Sequence, residues 1–134
     1  MRRINIFTDG GSRGNPGPAA IGIYVVEEKG EVLLKRGKQI GITTNNVAEY
    51  SAVREALFWI KNEFKNNDCE FYFFLDSSLV VNQLNGFFKI KNIQLKKIIM
   101  EIKEIERDLS KKIVYNYIPR EKNKIADFLV NASF

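Results

Sequence analysis

The spacing of apolar residues changes several times along this 134-residue chain, and each change marks an element. Ile4, Ile6 and Phe7 alternate loosely and predict a strand over residues 3–8 that ends on Asp9, followed by nine residues of turn formers. Residues 21–26 and 32–36 predict two more strands, joined by Glu27-Glu28-Lys29-Gly30-Glu31, in which Gly30 suits a hairpin turn. After a polar loop over residues 41–46 the period becomes helical: Ala52, Val53, Ala56, Leu57, Ile60 and Phe64 share one stripe, opened by asparagine caps. The run over 71–75 is continuously apolar, the pattern of a strand covered on both faces, and it ends on Asp76. Ser77 or Ser78 can cap a short helix over 79–84, which Asn85 and Gly86 stop with residues that tolerate a left-handed backbone. Leu95, Ile98, Ile99, Ile102, Ile105 and Leu109 give a long amphipathic helix. A fifth strand over 113–118 is closed by Pro119, and residues 125–132 form a last short helix.

The order βββ-α-β-α-α-β-α predicts the α/β class. The first three strands form an antiparallel meander, and the later ones, each reached across a helix, pair in parallel. The expectation is a five-stranded mixed sheet flanked by helices in a single domain over residues 1–134. A hydrophobic content of 45% supplies one core of ordinary size.

Charge alters this picture modestly. Lysine and arginine number 21 against 16 acids, for a net charge of +5, which is compatible with a polyanionic partner without requiring one. The lone Cys69 excludes an internal disulfide and suits a reducing compartment. The opening MRRINIF lacks the apolar core of a signal peptide and no run approaches a membrane span, so a cytoplasmic protein without membrane contact is expected. Histidine is absent altogether, which removes imidazole as general base, general acid or metal ligand. Cys-His pairs, nucleophile elbows, phosphate-binding Walker loops and zinc spacings are absent too. Carboxylates, with bound water or metal, remain as the source of any hydrolytic chemistry.

Four acids stand out. Asp9 and Asp76 each end an apolar strand, where α/β sheets hold their ligands, although an acid at a strand end also serves as a simple turn residue or cap. Glu49 lies on the apolar stripe of its own helix, three, four, seven, eight and eleven residues before Ala52, Val53, Ala56, Leu57 and Ile60. A carboxylate on such a face must be paired, protonated or bound to a cation, with first-turn helix-dipole relief as the plain structural alternative. Counting does not fix the facing of Asp127 in the last helix. Acids converging from separate elements of a histidine-free basic chain suggest hard divalent cations on oxygen ligands.

These residues also carry a resemblance. Asp9 in TDGGSRGNPGPA, Glu49 in TTNNVAEYSA, Asp76 in LDSSLVV and Asp127 in NKIADFLV resemble the four acidic positions of the type 1 ribonuclease H family, in order over nearly the whole chain. The segment QLNGFFKIKN is similar to members with a short connection after the Asp76 helix. The resemblance implies the ribonuclease H-like fold and hydrolysis of the RNA strand of RNA/DNA hybrids by two Mg2+ ions, with Mn2+ able to substitute, leaving 5′-phosphate and 3′-hydroxyl ends. It implies that Asp9 touches both ions, that Glu49 and Asp76 hold the one nearer the leaving group, and that Asp127 holds the one nearer the nucleophile. Gly10, Gly11 and Gly14 would let backbone approach a phosphodiester, Asn15, Asn45 and Asn46 would meet the minor groove and RNA 2′-hydroxyls, and Thr44 a DNA-strand phosphate.

Some positions depart from the family pattern. Where many bacterial members carry a loop histidine, this chain has Pro119-Arg120-Glu121-Lys122-Asn123, with Arg120 as a substitute phosphate ligand. Ser78 stands where many relatives have glutamine. The long basic extension of some members is lacking, and Phe87, Phe88, Lys89 and Lys91 are its nearest equivalents. Lys96, Lys97, Lys103, Lys111 and Lys112 are expected to form a solvated face. A monomer is expected. Two rival readings are a hybrid-binding module that does not cut and a DNA-cutting integrase or resolvase relative.

Overall fold

A computed structural model describes residues 2–64, 68–86 and 89–134. Phe87 and Phe88, expected to face substrate, lie outside the described residues. Five strands form one sheet: β1 (Arg2–Ser12), β2 (Gly17–Glu27), β3 (Val32–Thr43), β4 (Cys69–Leu75) and β5 (Ile113–Tyr117), in the spatial order β3-β2-β1-β4-β5. The first three are antiparallel, while β4 pairs in parallel with β1 and β5 in parallel with β4, as the element order predicts. The helices are α1 (Asn45–Glu63), α2 (Ser78–Leu84), α3 (Ile93–Leu109) and α4 (Lys124–Asn131), with a 3-10 turn over Arg120–Lys122.

Three expectations need correction. Asp9 does not end its strand: β1 continues through Gly10 and Gly11 to Ser12, paired with β2 from Asp9 and Gly22 to Ser12 and Ala19. The turn formers are therefore confined to a bend of residues 13–16. The third strand runs to Thr43 rather than Arg36. It is an edge strand, largely solvated, so it lacks the apolar alternation that would have extended the prediction, and its Lys35, Arg36 and Lys38 discourage pairing with another chain. Thr44, not an asparagine, caps α1, its Oγ1 accepting the Val47 N–H at 3.2 Å.

Alternation along β1 sends Ile4, Ile6, Thr8 and Gly10 to one face and Phe7, Asp9 and Gly11 to the other. The first face carries the main core, where Ile4, Ile6, Phe71 and Phe73 pack under Ala52, Val53, Ala56, Leu57 and Ile60 of α1, itself covered by Ile98, Ile102 and Ile105 of α3. On the opposite face α4 lies almost on the sheet backbone. A Cβ at Gly22 would stand 2.3 Å from the Ala126 carbonyl oxygen, and one at Gly37 would stand 2.5 Å from that of Leu129. Among the described residues no helix is long and apolar enough to cross a membrane.

Because the obstructing atoms at Gly22 are main-chain, they cannot swing aside. Gly22→Ala is therefore expected to push α4 off the sheet and cost ~2–3 kcal/mol, read as a fall in the urea midpoint at unchanged m-value. A midpoint equal to the parent's would show that α4 is not held this tightly.

Candidate functional site

Where β1 and β4 part, a cleft opens. Their parallel ladder ends at Phe7 and Phe74, so the segments carrying Asp9 and Asp76 diverge one step beyond it. β1 stands between an antiparallel neighbour, β2, and a parallel one, β4, so the order of the sheet reverses at this strand, a usual place for a ligand in an α/β sheet. The cleft measures about 490 Å³, and its walls include Asp9, Glu49, Asp76 and Asp127.

Glu49 arrives from the other side of the sheet. A Cβ at Gly10 would stand 2.3 Å from the carbonyl carbon and oxygen of Ala48 and 2.6 Å from the Glu49 nitrogen. The space that a side chain at Gly10 would need is therefore filled by α1. Close approach of helix and strand turns the first-turn glutamate in toward Asp9. A clasp fixes the same helix end: Asn15 Oδ1 accepts the Asn45 N–H at 2.9 Å, and Asn45 Oδ1 accepts the Ser12 N–H at 3.2 Å.

Asp9, Glu49 and Asp76 each offer an oxygen within 4.8 Å of the others. Asp9 is 7% exposed and Glu49 6%. Burial, reinforced by the Asp76 charge, pushes the Asp9 carboxyl up to about 7 from its ordinary 3.8. Burial and then the Asp9 charge hold Glu49 well above the ordinary carboxylate range. Asp76 is also raised by burial, with the Asn123 amide and the Arg120 charge pulling it the other way. Glu49 Oε2 is buried without a hydrogen-bond partner. Crowded hard oxygens, one stranded away from any donor, fit a divalent cation and fit little else.

Asp127 stands slightly apart, on the first turn of α4, with Oδ1 3.4 Å from Arg120 Nη2. Arg120 is mostly exposed, and its charge acts on Asp127, Asp9 and Asp76. Of the other expected positions, Gly10, Gly11, Asn45, Asn46 and Ser78 line the cleft, while Gly14, Asn15 and Thr44 do not, the last two holding the loop and the start of α1. Sequence reasoning missed three residues. Arg13 lines the cleft with its guanidinium 4.1 Å from the ring of Phe134, another lining residue, and Asn123 links the acid-bearing segments beneath them. The signal for Asn123 was its place one turn before Asp127. No pattern in the chain points to the pairing of Arg13 with Phe134. A larger groove of about 600 Å³ between β3, α1 and α3 has both its acids ion-paired, Glu55 to Arg36 and Lys38 and Glu101 to Arg54, and so offers no comparable chemistry.

Comparison with known proteins gives a consistent picture. Residues 7–133 match a family described as reverse transcriptase-like. The chain is 38% identical over 130 residues to a bifunctional protein of Mycobacterium tuberculosis, covering 96% of this chain but only 35% of that protein. It is 36% identical over 129 residues to ribonuclease HI of Halobacterium salinarum, covering 96% of this chain and 63% of that one. It therefore spans roughly a third to two thirds of these relatives. A solved structure of LC11-RNase H1, isolated from compost by a metagenomic approach, superposes with a TM-score of 0.93 at 45% identity over 99% of this chain and 96% of that one. The same protein in complex with an RNA/DNA hybrid gives 0.92 at 44% identity, covering 97% and 95%.

An acid raised by folding binds its proton more tightly folded than unfolded. The contribution of Asp9 to stability is thus full below its ordinary value of 3.8 and is lost as pH climbs through about 7. Metal-free protein should accordingly lose stability across that window, and Asp9→Asn should flatten the loss and stabilise the protein at neutral pH by at least ~1 kcal/mol. Thermal midpoints measured in chelator at several pH values test this, and a variant as pH-sensitive as its parent would contradict the crowding.

Proposed function

The chain belongs to the type 1 ribonuclease H family, and on that premise we propose that it is an endoribonuclease that hydrolyses the RNA strand of RNA/DNA hybrids. The observation that carries the reading is the nest of Asp9, Glu49 and Asp76, with its unpartnered Glu49 oxygen, at the bottom of a cleft. The hybrid complex of LC11-RNase H1 supports the substrate class.

Two Mg2+ ions, or Mn2+ in their place, would supply the activation of water and the stabilisation of the leaving 3′-oxygen, which no side chain of a histidine-free chain can provide. The protein's part is to place the ligands. Asp9, which feels all three of the other acids, would hold both ions. Glu49 and Asp76 would serve the one on the leaving-group side, and Asp127 the one on the nucleophile side. Metal binding requires the protons on Asp9 and Glu49 to leave, and cation affinity rises as they do. Arg120, exposed beside Asp127, is placed to meet a phosphate of the substrate strand, in the role a histidine fills in many bacterial members. Gly11, Asn46 and Ser78 in the cleft wall are assigned to the sugar and groove edge, as are Gly14 and Asn15 in the adjoining bend. Thr44, at the start of α1, and the basic Lys89 and Lys91 are assigned to backbone phosphates. Products would carry 5′-phosphate and 3′-hydroxyl ends, and the protein would act as a cytoplasmic monomer.

End-labelled RNA/DNA, RNA/RNA and DNA/DNA duplexes with Mg2+, Mn2+ or chelator test the reading. Metal-dependent cutting of the RNA strand of the hybrid is expected. Binding without cutting in either metal would favour a hybrid-binding module, and equal cutting of all-DNA duplex would favour an integrase or resolvase relative. Asp9→Asn should lower the cleavage rate ~10³-fold or more, since the lost metal contacts contribute several kcal/mol to the transition state. Hybrid affinity measured in chelator should fall linearly with the logarithm of salt concentration through loss of phosphate contacts, and a flat dependence would make the basic surface incidental.

A further inference from the structure

Asn123 is 1% exposed, more deeply buried than any of the acids, and it belongs to no strand or helix. It sits between the Arg120–Lys122 turn and α4, beneath the floor of the cleft. Its Nδ2 donates to the Thr8 carbonyl at 2.9 Å and to Asp76 Oδ2 at 3.3 Å. Its own main-chain carbonyl accepts the Asp127 N–H at 3.1 Å. One residue thus ties together the three segments that carry Asp9, Asp76 and Asp127.

The chemistry of the side chain narrows its role. Thr8 precedes Asp9 just beyond the last β1–β4 pair, so the amide supplies the hydrogen bond that the parted strands no longer exchange. A residue needed only for that link has no reason to direct its second amide hydrogen at a carboxylate. Asn123 Oδ1 is moreover buried with no partner, a burden that an apolar residue or a hydroxyl would avoid. A neutral two-hydrogen donor suits an acid that must keep its charge: lysine or arginine would cancel the charge, aspartate would repel it, and serine is too short to reach both acceptors.

We propose that Asn123 is a positioning residue of the metal site, holding the Asp76 carboxylate toward Asp9 and Glu49 while its carbonyl starts the helix that presents Asp127. It touches neither substrate nor ion. The inference rests on reading the acids as a divalent-cation nest, and it assigns the rotational order of that nest to an amide outside it.

The test uses Asn123→Ala with three measurements: Mn2+ binding to the protein without hybrid by electron paramagnetic resonance, the Mg2+ dependence of hybrid cleavage, and hybrid affinity in chelator. Mn2+ affinity is expected to fall ~10-fold or more. The Mg2+ concentration for half-maximal cleavage should rise by a similar factor, with most of the rate regained at high Mg2+ and hybrid affinity in chelator unchanged. Parent-like Mn2+ affinity, or a rate loss that no Mg2+ concentration recovers, would overturn the proposal. Should the variant fail to fold, the parent protein decides: the Asn123 side-chain amide resonances should shift on Mg2+ addition together with the Gly10 amide, and signals that stay fixed while Gly10 moves would refute the role. A parent protein that binds no Mn2+ would sink the cation nest itself. Equal binding by parent and variant would remove only the part given to Asn123.

Discussion

Two carboxylates that repel each other are held in the least hydrated part of the cleft, and much of the molecule is arranged to keep them there. Asp9 belongs to a continuous strand and Glu49 to the first turn of the central helix, so neither can swing away without disturbing the core. The contact between them follows from Gly10, which lets the helix main chain press on the strand. Arg120 is 78% exposed and bridges to Asp127 rather than into the nest. Crowded carboxyl groups are thus built into the folded state at a local cost in stability, the kind of cost met at functional sites.

Most of this was legible in the chain, and the reasons differ by element. The stripe from Ala52 to Ile60 marks a helix buried against a sheet, and by its spacing it turns Glu49 inward. The run from Phe71 to Leu75 read as a covered strand because covering on both faces removes alternation. Elements on the rim were harder. Nothing in the solvated residues after Arg36 betrays the second half of β3, whose order comes from pairing with β2 rather than from burial. Continuation of β1 through Gly10 and Gly11 was hidden because glycine signals a turn locally, whereas here it accommodates a helix from far along the chain.

At the site, the acids were legible and their supports were not. A carboxylate on an apolar stripe is a contradiction visible in one dimension. The Asn15–Asn45–Ser12 clasp and the Asn123 bridge join residues 30 to 115 positions apart, and asparagine is common enough in bends to pass for punctuation. The lysines expected to form a solvated face divide in a similar way. Lys103 bonds the Leu84 carbonyl and Glu106, and Lys112 pairs with Glu70, so part of the basic excess is engaged within the fold.

Helix α4 rests on main chain at Gly22 and Gly37, with Ala126 and Val130 buried beneath it. Its height above the sheet is therefore set by the thickness of two backbones, a quantity open to change at those two glycines, and Asp127 inherits that height. Outward residues such as Phe128, 67% exposed, are consequently at liberty to drift over evolutionary time without detuning the reaction centre.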